Sequence, residues 1–218
     1  MSAKKFPTNV YAEMTPNPTT MKFVTDRRLV SRGHQLEFLN PEQAALCSPL
    51  AVELFHFPFV TSVFISGSIV SVTKDESLGW EMIVNQLREY IREWLMENEF
   101  AVEEDKVSAA LEVFGEGSAT EMQTSDSIAP VDFIKEADII PSEHDEEIKR
   151  LLDEFVRPAV EQDGGAIDFV AFKDGTVYVH LRGACSGCPS STQTLKGGIE
   201  QLLKSKINQV EDVVAIGV

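Results

Sequence analysis

Residues 97–142 carry 12 acidic side chains against two basic ones, Lys106 and Lys135, and contain the breaker runs Gly115-Glu116-Gly117-Ser118 and Thr124-Ser125-Asp126-Ser127. A stretch so charged and so interrupted is a poor centre for one large core. It divides the 218 residues into two small domains with a connection between them. The expected boundaries are 1–97 for the first domain, 98–142 for an acidic linker and 143–218 for the second domain. The expected class is α+β in both domains. Short apolar groups inside the connection (Leu111, Val113 and Phe114, then Val131, Phe133, Ile134, Ile139 and Ile140) are read as packing on a neighbouring domain, with a client-docking segment as the other reading.

In the first domain, residues 60–72 alternate around Ser66-Gly67-Ser68, with Val63 and Ile65 leading into Ile69 and Val72, which predicts a β-hairpin. Across residues 80–95, Ile83, Leu87, Ile91, Trp94 and Leu95 recur at helical spacing, with Arg88, Glu89, Arg92 and Glu93 between them. Thr15-Pro16-Asn17-Pro18 is a turn leading into a strand near Phe23, and residues 41–54 suggest a short helix.

The second domain reads as helix, strand, strand, loop, helix, strand. Ser142 or Asp145 caps a helix bearing Ile148, Leu151, Leu152, Phe155, Val156 and Val160, with Pro158 kinking its last turns and Gly164-Gly165 ending it. Residues 166–172 and 176–181 form strands joined at Asp174-Gly175, a strong short-hairpin signal. A helix with Leu195, Ile199, Leu202, Leu203 and Ile207 follows, then a terminal strand over 210–218.

Net charge is -16, which opposes binding to nucleic acid or to an anionic membrane, because both need a cationic face. No apolar run is long enough for a membrane helix. The first residues, Met1-Ser2-Ala3-Lys4-Lys5-Phe6, have neither the apolar core of a secretory signal nor the Arg-rich character of a transit peptide, so a cytoplasmic location is expected.

Of three cysteines, two stand together in Leu181-Arg182-Gly183-Ala184-Cys185-Ser186-Gly187-Cys188-Pro189-Ser190. Two thiols separated by two residues can chelate one centre. Gly183 and Gly187 let both sulfurs turn the same way, and Ser186 and Ser190 offer donors to sulfur. The helix that follows aims its N-terminus at the loop, and Arg182 is near, so thiolate and an anionic guest are expected to be favoured. By chemistry alone the pair is a redox dithiol, half a zinc site, half a cluster site or two inert thiols. Zinc and iron–sulfur centres usually take four protein ligands. Cys47 lies in apolar Ala44-Ala45-Leu46-Cys47 and reads as a buried inert thiol; His180 reads as a surface or edge residue, and His34, His56 and His144 lack metal spacing. Two chains meeting at a twofold axis would complete the set with Cys185 and Cys188 from each.

The residues resemble the Nfu family. Glu161-Gln162-Asp163-Gly164-Gly165, the Asp174-Gly175 hairpin, the cysteine loop, and Thr194-Leu195-Lys196 with Gly198-Ile199-Glu200 are similar to the NifU-like domain. Thr15-Pro16-Asn17-Pro18, Lys22-Phe23, Thr73-Lys74 and Trp80 are similar to the Nfu N-terminal domain. The resemblance implies a [4Fe-4S] cluster bridging two subunits on Cys185 and Cys188, a homodimer formed through it, and a carrier rather than an enzyme. It also implies an upstream scaffold and apo iron–sulfur client proteins as partners. The alternatives are a thioredoxin-like dithiol–disulfide oxidoreductase and a zinc-bridged dimer. Against the first, the motif follows a hairpin rather than an initial strand and helix.

Overall fold

The computed structural model describes residues 6–31, 33–117, 142–186 and 189–217. Two α+β domains are seen. The first is a five-stranded antiparallel sheet built from β1 (Val10–Met14), β2 (Thr20–Thr25), β3 (Gln35–Phe38), β4 (Val60–Ser66) and β5 (Ile69–Lys74), in the order β1-β2-β5-β4-β3. The predicted hairpin is β4 and β5, and Gly67 takes φ +56 at its turn. The short outer strands β1 and β3 were not foreseen.

Strand alternation gives the sheet two different faces. Phe23, Val70, Ile65 and Leu36 form one cross-strand row, and Met21, Val72, Val63 and Phe38 the next; all are buried in the first core. Helix α3 (Trp80–Glu97) packs into that core through Ile83, Leu87, Ile91 and Leu95, the stripe its spacing predicts.

The short helix expected over 41–54 is two. Helix α1 (Pro41–Cys47) is capped by Asn40, whose side chain accepts from the Gln43 amide, and α2 (Pro49–Leu54) by Ser48, which accepts from the Ala51 amide. Pro49 has no N–H to continue the first helix and suits the first position of the second.

The connection begins later than residue 98. Ala101, Val102, Val107 and Ala110 are buried in the first core, the last two from α4 (Glu104–Gly117). Of the first apolar group, Leu111 is 39% exposed rather than packed, and the side chains of Val113 and Phe114 lie outside the described residues. The second group, from Val131 to Ile140, lies outside the described residues.

In the second domain, α5 (Asp145–Leu151), a π-helical segment (Leu152–Val156) and α6 (Arg157–Gln162) run on as one interrupted helix. Pro158 cannot donate to residue 154 and its ring crowds that carbonyl; the wider π turn relieves both. The same turn swings Phe155 out of its predicted stripe, leaving it 52% exposed. Strands β6 (Gly165–Lys173) and β7 (Thr176–Gly183) are antiparallel, with Asp174 and Gly175 at positive φ in the turn, and β8 (Asp212–Gly217) runs parallel to β7 after helix α7 (Pro189–Lys206). Ile148, Leu152, Ile167, Val179, Ile199 and Leu203 lie in a second core. The order helix, strand, strand, loop, helix, strand is the one predicted.

Candidate functional site

The cysteine loop leaves the carboxyl end of β7, the centre strand of its sheet, and leads into α7. Gly183 turns the chain with φ +64. The Ala184 amide then donates to the Gly164 carbonyl at 3.2 Å and the Ser186 amide to the Gly183 carbonyl at 3.1 Å. Two glycines make this closeness possible. A Cβ on Gly165 would stand 2.7 Å from the Cys185 sulfur and 2.8 Å from the Arg182 carbonyl oxygen, and one on Gly183 would stand 2.8 Å from the Gly164 carbonyl oxygen.

Cys185 is 7% exposed and packs in the second core. Its thiol is pushed up to about 12, first by burial and then by the negative charge of Asp163. This reverses the expectation of a favoured thiolate. Arg182 is directed elsewhere: it pairs with Asp168 across the sheet and donates to the Gln35 carbonyl at 2.9 Å. Ser186 donates its hydroxyl to the Gly183 carbonyl at 3.0 Å rather than to sulfur. Cys188, the other predicted ligand, lies outside the described residues.

Cys47 is fully buried in the first core, its thiol raised to about 11 mainly by burial, which fits an inert thiol. His180 sits on the central strand opposite Asp168, not at an edge, and burial lowers its pKa. Among the described residues no group of three or more His, Cys, Asp or Glu side chains is arranged to hold a metal ion.

Sequence reasoning missed the first domain's share of the site. One cross-strand row on the outer sheet face runs Glu13, Lys22, Ser71, Phe64, Glu37, one residue from each strand. Lys22 Nζ donates to the Gln162 carbonyl at 2.6 Å, Ser71 Oγ to the Gly164 carbonyl at 2.7 Å, and the Gly183 amide to Glu37 Oε1 at 2.8 Å. Burial raises the pKa of Glu37, against the Gly183 hydrogen bond and the Arg182 charge, which lower it. Asn17 Nδ2 donates to the Ser186 carbonyl at 3.0 Å, while its Oδ1 accepts from the Thr19 amide. Trp80 Nε1 in turn donates to the Pro18 carbonyl, with Lys74 Nζ 5.6 Å from the indole ring centroid. Asn17 of the Thr15-Pro16-Asn17-Pro18 turn and Lys22 thus reach the second domain beside the cysteine loop, while Trp80 and Lys74 stand behind the turn.

Residues 10–98 match the family model described as scaffold protein Nfu/NifU N terminal, and residues 148–214 match the NifU-like domain. The chain belongs to the Nfu family. Curated relatives agree across 94% of this chain: the protein named NFU1 iron-sulfur cluster scaffold homolog, mitochondrial, is 30% identical in Drosophila persimilis and 31% in Drosophila virilis. NifU-like protein 4, mitochondrial, of Arabidopsis thaliana is 31% identical, also over 94%. This Nfu chain spans 60–64% of the length of those three relatives. Their names are mitochondrial, which overturns the cytoplasmic location expected from the first residues.

Proposed function

We propose that this Nfu chain carries a [4Fe-4S] cluster between two copies, held by Cys185 and Cys188 of each, and passes it to apo-proteins in the mitochondrion. The carrying observation is the match of both domains to Nfu family models, with Cys185 set between β7 and the start of α7. Two thiols per chain fall short of the four ligands a cluster takes, and a second copy makes up the number. The cluster is cargo. During transfer each client thiol that takes over a cluster iron gives up a proton, and each carrier thiolate released can take one, so ligand exchange needs no electron donor.

The role is that of a scaffold and carrier, not an enzyme. An oxidoreductase reading is disfavoured by topology, since the motif follows the β6–β7 hairpin rather than an initial strand and helix. A zinc bridge would use the same four thiols and give no visible chromophore. Nothing on the described surface favours it over the cluster.

Anaerobic reconstitution with iron and sulfide, followed by absorption and Mössbauer spectra and by sizing, tests this reading. A chromophore in a dimer is expected, with the spectra of a [4Fe-4S] centre. Holo-protein should activate an apo-enzyme, and Cys185→Ala or Cys188→Ala should abolish both chromophore and transfer, while Cys47→Ala preserves them. Retained transfer in both Cys185→Ala and Cys188→Ala would exclude the assignment.

A further inference from the structure

We propose that the outer face of the first domain's sheet is an intramolecular cap on the cysteine loop, and that this capped state and the cluster-bridged dimer exclude each other. The inference rests on the carrier reading above.

Phe64 carries the case. It is 1% exposed, yet it is not part of the first core, because the strand alternation of β4 turns it to the opposite face of the sheet from Val63 and Ile65. Its cover comes from the second domain: a Cβ on Gly183 would lie 2.9 Å from the Phe64 ring. Ser71 beside it is equally buried and donates to Gly164; a Cβ on Gly164, which has φ +82, would lie 2.6 Å from the Ser71 oxygen. Gly183, which turns the cysteine loop, and Gly164, whose carbonyl accepts from the Ala184 amide, are thus where the sheet presses closest.

The contact brackets Cys185. Glu37 accepts from the Gly183 amide on one side and Asn17 donates to the Ser186 carbonyl on the other, at 2.8 and 3.0 Å. A sheet bound to the residues flanking a thiol occupies the approach that a second copy's loop needs. Bridging a cluster therefore requires the first domain to withdraw.

The chemistry of the contact suits withdrawal. Lys22, Ser71, Glu37, Asn17 and Gln35 meet backbone groups and Arg182 through hydrogen bonds, and Phe64 is the one large apolar side chain that the sheet row commits. Polar inter-domain contacts of this kind are exchanged for water at modest cost, whereas a permanent core is not. A carrier competent only when open has its cluster affinity reduced by the open fraction, so loading shifts the population to the open form.

Hydroxyl-radical footprinting of the full chain, read at Phe64 with Phe100 as an internal reference that is 62% exposed, tests the cap without iron. Apo-protein is expected to protect Phe64 strongly relative to Phe100. Ser71→Arg, which drives a long side chain into the Gly164 contact, and independently Lys22→Glu, which sets a carboxylate against the Gln162 carbonyl, should each raise Phe64 oxidation about tenfold or more, since reactivity follows the open fraction. Cys185 alkylation should rise with it while that of Cys47 stays constant. Phe64 oxidised as fast as Phe100 in the wild-type apo-chain would overturn the cap, even if both variants fail to fold. So would unchanged Phe64 reactivity in wild-type protein that has gained the cluster chromophore. Absence of a chromophore would count against the carrier reading alone, because the apo footprint reports the cap separately.

Discussion

The side-chain amide of Asn17 donates to the carbonyl of Ser186 at 3.0 Å, so a turn near one end of the chain fixes the residue next to Cys185. The same Asn17 side chain accepts from the Thr19 amide and hydroxyl, which makes it both the organiser of its own turn and the clasp on the distant loop. Asn17→Ala removes both functions. Because Asn17 is buried, the loss should cost about 1–3 kcal/mol in thermal or denaturant unfolding, the usual penalty for leaving buried partners unmatched. Asn17→Asp, which keeps the acceptor for Thr19 but loses the donor to Ser186, should leave the turn intact and still speed alkylation of Cys185.

The Cys185 thiol has its own pH signature. Its ordinary value is 9.0 and the fold pushes it up to about 12, so the folded chain holds the proton more tightly than the unfolded chain. The stability this contributes is complete below pH 9 and is lost as pH rises toward 12. Cys47, raised to about 11, acts in the same direction. Melting temperature should fall across pH 9 to 11, and less steeply in the Cys185→Ser variant. A flat profile in wild-type protein would contradict the burial described for both thiols.

His180 works at the other end of the scale. Burial lowers its pKa from the ordinary 6.5, helped by the charge of Arg182 and opposed by Asp168. A depressed imidazole is neutral in the fold, so its contribution is present above pH 6.5 and lost as pH falls through the lowered value. His180→Gln should reduce the loss of second-domain stability between pH 6.5 and 5, measured by urea unfolding at each pH.

Gly165 and Gly183 should respond differently from ordinary glycines. Alanine at Gly165 would bring its Cβ to 2.7 Å from the Cys185 sulfur and 2.8 Å from a backbone oxygen. Alanine at Gly183 would be strained by φ +64 as well as by contact with the Gly164 carbonyl and the Phe64 ring. Each should cost roughly 2 kcal/mol or more, since the neighbouring backbone cannot give way. Gly197→Ala, on α7 with open space at its Cβ, should stabilise by about 0.5–1 kcal/mol and is the control. Differential scanning calorimetry of the three variants checks the ordering.

Much of the fold was legible because apolar spacing and turn chemistry agree. The β4–β5 and β6–β7 hairpins follow from alternation around Ser66-Gly67-Ser68 and Asp174-Gly175, and α3 from its stripe of Ile83, Leu87, Ile91 and Leu95. Helix α4 was hidden by its own charge: Glu104 and Asp105 dominate the composition there, whereas the buried side chains among the described residues are Val107 and Ala110. Strands β1 and β3 are short, five and four residues, so even the Leu36 and Phe38 alternation of β3 spans too little chain to stand out. The exposure of Phe155 was lost because a stripe assumes an unbroken α-helical period, which the π turn at Leu152–Val156 interrupts.

At the site, spacing singles out Cys185 as a candidate, and the expected ease of forming its thiolate does not match its burial. Helix-end and arginine arguments describe an open loop, while the burial that raises the thiol comes with a packed loop and with Arg182 committed to Asp168 and Gln35. The first domain's contribution had no signature of its own, since Lys22, Ser71 and Glu37 are ordinary polar strand residues until register aligns them.

That alignment constrains how the chain can change in length. Glu13, Lys22, Ser71, Phe64 and Glu37 come from five separate segments, and each faces outward only because its strand is in phase with its neighbours. Adding one residue inside any of these strands would invert everything beyond it, sending a core side chain outward and a polar one in. Insertions and deletions that preserve the molecule must then fall in its turns, or arrive two residues at a time.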